Sequence, residues 1–217
     1  MNSVLLTASA VLFDNDGVLV DSHLQVEQAW RQLADEFGLD AEPLLKELIG
    51  RRAIDTLSEY LDADECRRAV ERLENLEVAL ADQTPPLTGA LELLAALAGQ
   101  PWTIVTSAST RLAEARWEGA GIAAPERSVT ADHVTKGKPD PEPYLVGARV
   151  LGVDPTQCIV FEDSPAGGEA ARRAGANVVA VGDQRWPFAP AARVHDLTDV
   201  SVQSGPGEAI VLRFDTP

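Results

Sequence analysis

Four short apolar runs constrain this chain more than anything else in it: "SAVLF" at 9–13, "WTIVT" at 102–106, "QCIVF" at 157–161 and "NVVAV" at 177–181. Each is rich in β-branched residues, and none alternates apolar with polar, which is the pattern of a strand covered on both faces. Helical patterns lie between them. Residues 88–99 open with Thr88 as a cap, 109–121 open with Ser109 and close on glycine, and 141–152 start with proline and stop at Gly152. Residues 164–175 carry Ser164 as a cap, Pro165 at the first helical position and Gly175 past the end. Strands alternating with helices predict an α/β fold, a doubly wound, Rossmann-like parallel sheet with ligands at the carboxyl ends of its strands.

One region departs from the alternation. From Ser22 to Gln83 the spacing is helical at 22–38, 42–50, 53–61 and 64–83, with no strand-like run, until "TPPLTG" ends it. This predicts a helical cap domain at 21–85, inserted through two linkers into a core of 1–20 and 86–217. The opening "MNSVLLTASA" lacks the basic region of a signal peptide and reads as the lead into the first strand. The tail "VSVQSGPGEAIVLRF" reads as two strands joined by a Gly-Pro-Gly turn, an antiparallel addition to the sheet edge.

With 217 residues, 45% hydrophobic and 24% charged, the chain can bury the core of one or two globular domains. No apolar run approaches the roughly 18 residues of a membrane span. Cys66 and Cys158 have no metal-ligand spacing, so two unpaired thiols in a reducing cytoplasm are expected. The net charge of −16 argues against nucleic acid or an anionic membrane as partner. A small anionic substrate would need positive charge supplied locally.

Polar groups cluster where the predicted strands end. Asp14 and Asp16 flank Asn15 in "AVLFDNDGVLVDS"; two residues apart on an extended backbone, they point the same way. Like charges so close repel, so one should take up a proton or both should share a cation, although Asp-Gly is also a hairpin signal. Thr106, Ser107 and Ser109 follow the second run, either as an anion cradle with free N–H groups or as plain helix capping. Lys136 and Lys138 stand in "TKGKPDPEPY", a stiff loop that can be a solvated surface or a charge pointed inward. Glu162 and Asp163 end the third run, where carboxylates bind a hard cation such as Mg²⁺ or cap the following helix. Each signal is weak alone. Together, on one face of one sheet, they make a kit for holding a phosphate beside Mg²⁺.

In these four segments, "DNDGVLVDS", "VTSAS", "GKPDPEPY" and "FEDSPAGG", the chain resembles the haloacid dehalogenase superfamily, and the helical insert is similar to that superfamily's cap. "PWTIVTSAS", "VTKGKPDPEPYLVGARVLG" and "VFEDSPAG" resemble the subgroup of small sugar, hexitol and glycerol phosphate phosphatases. The resemblance implies a Mg²⁺-dependent phosphatase that acts on a small phosphorylated metabolite; apart from it, a cytoplasmic monomer is expected. It implies Asp14 as the nucleophile that becomes an aspartyl-phosphate, and Asp16 as acid and then base. It further implies a metal on Asp14, the backbone carbonyl of Asp16 and Asp163, with Glu162 as a further ligand candidate. Thr106, Ser107 and Lys138 would hold the phosphoryl group. Arg51 or Arg52, in the cap loop "IGRRAID", would either reach the rest of the substrate or face solvent. Two relatives set limits. Dehalogenases of the superfamily use no metal and lack the second aspartate, which is present here. β-Phosphoglucomutase-like members carry a histidine where Val26 stands, with His23 out of register, so hydrolysis is favoured over a mutase. A non-catalytic member of the fold would not be expected to keep Asp14, Asp16, Lys138 and Asp163.

Overall fold

A computed structural model describes residues 2–204 and 209–216. The first half of the chain forms β1 (Asn2–Ala8), β2 (Ala10–Phe13), α1 (His23–Phe37), α2 (Ala41–Glu47), α3 (Ala53–Leu57), α4 (Ala63–Leu80) and α5 (Ala90–Ala96). There follow β3 (Trp102–Ile104), α6 (Thr110–Ala120), α7 (Glu142–Leu151), β4 (Cys158–Glu162), α8 (Pro165–Ala174), β5 (Asn177–Val181), β6 (Ala192–Val194), β7 (Val200–Ser204) and β8 (Ile210–Thr216).

The expected α/β sheet is present. Five parallel strands run in the order β3-β2-β4-β5-β6. All four residues of β2 are buried, because both of its faces are covered. Val11 and Phe13 pack with Leu93, Ala113 and Trp117 of α5 and α6. Ala10 and Leu12 pack with Tyr144, Ala148, Ala170 and Ala171 of α7 and α8. The alternation of helices along the chain thus becomes two helical layers around one sheet. Strand β6 has no counterpart among the apolar runs. It is three residues long with Arg193 at its centre and lies at the sheet edge, where a weak strand is enough.

Three local expectations are corrected. The amino-terminal stretch is a strand of its own rather than a lead. β1 pairs antiparallel with β8, which pairs with β7, in a separate three-stranded sheet. The tail hairpin therefore exists but does not extend the parallel sheet. Its burial alternates, with Ile210, Leu212 and Phe214 inward and Arg213 outward, as suits a sheet with one wet face. The proposed Gly205-Pro206-Gly207 turn lies outside the described residues. Helix α5 is capped by Gly89 and not by Thr88.

Between β2 and β3 the helices α1 to α4 build their own apolar cluster from Trp30, Leu33, Leu44, Leu57, Ala69 and Leu73. The two chain crossings that join it to the sheet lie side by side. Asp21 N donates to Pro85 O at 3.0 Å, and Leu87 N to Leu19 O at 2.8 Å. Cys66 and Cys158 are free and buried. Among the described residues no helix is long and apolar enough to cross a membrane.

Candidate active site

Three of the polar clusters sit where the parallel strands β2, β3 and β4 stop; the fourth, with Lys136 and Lys138, follows no strand and reaches the site from the loop before α7. Asp14 directly follows β2, and its N–H donates to Phe161 O of β4 at 2.9 Å, so the pairing of the sheet continues up to the carboxylate. The chain then turns sharply. Asn15 O accepts the N–H groups of Val18, Leu19 and Val20 at 3.3, 2.8 and 3.0 Å. The Asn15 side chain is pinned by Trp117 Nε1 at 2.8 Å. Gly17 sits at φ +77°, and a Cβ there would lie 2.1 Å from Asp163 Oδ2. Only glycine permits both that backbone angle and that approach.

Lys138 lies beneath this turn and is 1% exposed. Its ammonium reaches Asp14 Oδ1 at 2.7 Å and Glu162 Oε1 at 2.7 Å, and donates to Val105 O at 3.2 Å. All three of its N–H groups therefore have a partner. Glu162 is fully engaged as well. Oε1 also accepts from Tyr144 Oη at 2.6 Å, and Oε2 accepts Ser164 N and Oγ at 3.1 and 2.9 Å. With four donors on two oxygens, Glu162 anchors Lys138 and has little left for a metal.

Asp14, Glu162 and Asp163 each place an oxygen within 4.8 Å of the others. Three buried carboxylates thus face one ammonium. Burial, followed by repulsion from Glu162, pushes the Asp14 carboxyl up to about 7 even though Lys138 pulls the other way. Burial and then Glu162 and Asp14 raise Asp163 well above the usual carboxylate range. Burial opposes the charge on Lys138, but Asp14 and Glu162 together outweigh it and raise the ammonium above its ordinary value. Hard oxygen donors with an excess of negative charge are what a divalent cation of the Mg²⁺ or Ca²⁺ type requires, so the residues present fit such an ion. Asp14 and Asp163, whose oxygens are not saturated by donors, are the side chains suited to hold it.

Asp14, Asp16, Ser107 and Asp163 open into one cavity of about 610 Å³ between the sheet and the helical block. Its far wall is apolar: Val26, Trp30, Leu45, Ile49, Ile54 and Val70. The loop between α2 and α3 lies directly on the core. Gly50 O accepts from Ser107 Oγ at 2.9 Å. Gly50 has φ +76°, and a Cβ there would lie 2.2 Å from Ser164 Oγ. Arg52 pairs with both oxygens of Asp55 at 2.6 and 2.7 Å and donates to Thr135 O at 3.1 Å, bridging the block to the lysine loop. Arg51 lines the cavity, with Nη2 donating to Asp55 O at 3.1 Å and pairing with Glu59. Neither arginine is left to open solvent.

The structure therefore brings Asp14, Asp16, Ser107, Lys138 and Asp163 together. Thr106 stands apart from them: it is buried, and its Oγ1 accepts the Ala108 N–H at 3.1 Å. Sequence reasoning missed Arg116, Glu77, Ser22 and Tyr144. Arg116 and Glu77 are lone charges within helical patterns whose neighbours look solvated, and only the packing shows that they are buried.

Residues 8–175 match the family model of the haloacid dehalogenase-like hydrolases. Hexitol phosphatase A of Escherichia coli strain K12 is 40% identical over 216 residues, which cover 93% of this chain and 97% of that protein. A fructose-1-phosphate phosphatase of the same organism is 33% identical over 183 residues, 80% of this chain and 96% of its own. Among solved structures, a β-phosphoglucomutase from Clostridium difficile aligns with a TM-score of 0.76 at 28% identity, covering 88% of this chain and 92% of that one. The sheet order, the three strand-end clusters met by the Lys138 loop, and the breadth of these matches lead to one conclusion: this chain belongs to the haloacid dehalogenase-like hydrolases.

Proposed function

We propose that the protein is a Mg²⁺-dependent phosphatase that hydrolyses small phosphorylated sugars or polyols through an aspartyl-phosphate on Asp14. The observation that carries this reading is the meeting of Asp14, Lys138 and Asp163, drawn from three separated segments, where Asp14 and Asp163 line a cavity with Asp16 and Ser107 and Lys138 is buried against Asp14. The sugar phosphate phosphatases to which the chain is similar support the substrate class.

Phosphate monoester hydrolysis needs accelerations up to about 10²¹-fold, while one acid–base group supplies about 10²–10⁴. Positioning and charge stabilisation must do most of the rest. In the first half-reaction an Asp14 oxygen attacks phosphorus, the bond to the leaving oxygen breaks, and Asp16 gives that oxygen a proton. In the second, the Asp16 carboxylate takes a proton from water as the water oxygen attacks phosphorus. The bond to Asp14 then breaks and phosphate leaves. Lys138 holds Asp14 Oδ1 and offsets charge on the transferring group, while Ser107 and the N–H groups of its turn face the phosphoryl oxygens. Thr106 would contribute through that turn. Arg51, in the cavity wall, would meet the remainder of the substrate. A bound Mg²⁺ would supply the charge that lets a carboxylate approach a phosphate dianion.

The mutase alternative is disfavoured by what stands in the cavity. Val26 lines the wall at the register of the mutase histidine, while His23, which also lines the cavity, is out of that register and lies 3.3 Å from Asp21. The deciding experiment is phosphate release from a panel of sugar, polyol and nucleotide monoesters, each with Mg²⁺ or with EDTA. Release from sugar or polyol phosphates that stops with EDTA is expected. No release from any monoester in the presence of Mg²⁺ rules the reading out.

The raised carboxyls make a second expectation. A carboxyl whose folded value lies above its unfolded one holds its proton more tightly in the folded protein. Stability is therefore lost as pH rises from about 4 through about 7. Lys138 contributes stability fully below about 10, so it adds no slope in that window. Without metal, the melting temperature should fall between pH 5.5 and pH 8. Because a cation needs the ionised carboxylates, the upward shift on adding Mg²⁺ should be larger at pH 8. Equal shifts at both pH values would contradict this.

Closure can be tested at Gly50. Gly50→Ala places a Cβ against Ser164 at a backbone angle that costs an L-residue about 1–2 kcal/mol. The change acts at a loop contact rather than in a core. Steady-state kinetics should show kcat/KM lower by roughly tenfold or more, with the melting temperature lower by only about 2–8 °C. Unaltered kinetics would mean that this contact does not form in turnover.

A further inference from the structure

Asp16 is gripped on one oxygen. Its Oδ1 accepts from Ser22 Oγ at 2.6 Å and from Arg116 Nη1 at 2.9 Å, whereas Oδ2 has only a long contact from Asn15 Nδ2 at 3.3 Å. Arg116 belongs to α6 of the core and is 3% exposed. Its other terminal nitrogen, Nη2, donates to Glu77 Oε1 at 3.1 Å, and Glu77 is a buried residue of α4 in the helical block. Both Arg116 and Glu77 line the cavity beside Asp16. A guanidinium buried between two carboxylates is a poor device for stability alone, because its desolvation cancels much of the attraction.

We propose that Arg116 is a positioning residue that ties the aim of Asp16 to the seating of the helical block. The guanidinium holds Asp16 Oδ1 from the core and Glu77 Oε1 from α4, so Asp16 presents Oδ2 to the substrate only when the block is in place. Ser22, at the start of the block, is the second grip on the same oxygen. Arginine suits this task because its rigid planar fork offers two separate terminal nitrogens, so the two carboxylates are held at a fixed spacing and direction. The inference rests on the phosphatase reading, since it takes Asp16 as the proton donor.

That role has a signature that packing lacks. Protonation of the leaving oxygen matters most for a poor leaving group, such as a polyol alkoxide, and least for a phenolate. The value of kcat/KM reports every step up to the first P–O cleavage. For Glu77→Gln and Arg116→Lys, kcat/KM on a hexitol phosphate should fall roughly 10–100-fold, while on an activated aryl phosphate it stays within about threefold. The Mg²⁺ concentration for half-maximal rate should be unchanged. Glu77→Gln preserves shape and decides the matter should Arg116→Lys fold poorly. Equal losses on both substrates, no loss in folded variants, or a loss that vanishes at saturating Mg²⁺ overturns the proposal. Wild-type protein inert towards both substrates overturns the phosphatase reading itself, and this inference with it.

Discussion

Asp14→Asn is expected to abolish turnover and, without metal at pH 8, to raise the melting temperature. The amide retains the shape of the side chain but cannot attack phosphorus, and loss of a nucleophile costs a rate on the order of 10⁴-fold or more. The gain in stability follows from the same environment. Burial and Glu162 push the Asp14 carboxyl up to about 7, so at pH 8 it is ionised against resistance despite the pairing with Lys138. A neutral amide removes that penalty, and each kcal/mol recovered raises the melting temperature by about 2–4 °C in a chain of this size. Below pH 5, where the wild-type carboxyl is already protonated, the advantage should disappear. Phosphate release and thermal melts at the two pH values check both halves. Near-normal turnover by purified Asp14→Asn would defeat the assignment of Asp14, and a lower melting temperature at pH 8 would defeat the account of its charge.

Lys138→Met is expected to be the most destabilising of the single changes considered. The side chains are of similar length, so packing is nearly conserved while the charge is lost. What remains is Asp14 with no cation and Glu162 with only its Tyr144 and Ser164 donors, all buried. Removing one partner of a buried ion pair costs about 3–5 kcal/mol, which corresponds to a melting temperature lower by roughly 10 °C. The sign with pH is again fixed: the deficit should be larger at pH 8 than at pH 5.5, because at the lower pH the Asp14 carboxyl holds a proton instead of an unpaired charge. Activity should fall by at least about 10²–10³-fold, the usual consequence of deleting one charge-stabilising group at a reacting centre. Denaturant melts of the metal-free protein at both pH values measure the first effect. A deficit independent of pH would mean that Lys138 serves packing rather than charge.

Much of this was legible in the residues. The parallel sheet announced itself through four runs without alternation, since strands covered on both faces have no polar side to show. Ser109, Ser164, Gly121, Gly152 and Gly175 act as the caps their types suggest, because capping is decided within a few residues. Thr88 failed because Gly89, with φ +82°, took the capping position. β1 and the tail hairpin were misplaced for a different reason. Pairing between residues 2–8 and 210–216 is a contact across nearly the whole chain, and local pattern carries no information about it.

By itself, the sequence determined which groups of the candidate site exist and, Lys138 apart, at which strand ends they stand, because strand ends and helix starts are local properties of the chain. Only the tertiary structure decided how those groups divide the work. It spent both oxygens of Glu162 on Lys138, Tyr144 and Ser164, drew Thr106 into its own turn, and set Arg116 between Asp16 and Glu77. The physical reason is that a charged side chain's role depends on which partners replace its lost water, and those partners come from segments far apart in the chain.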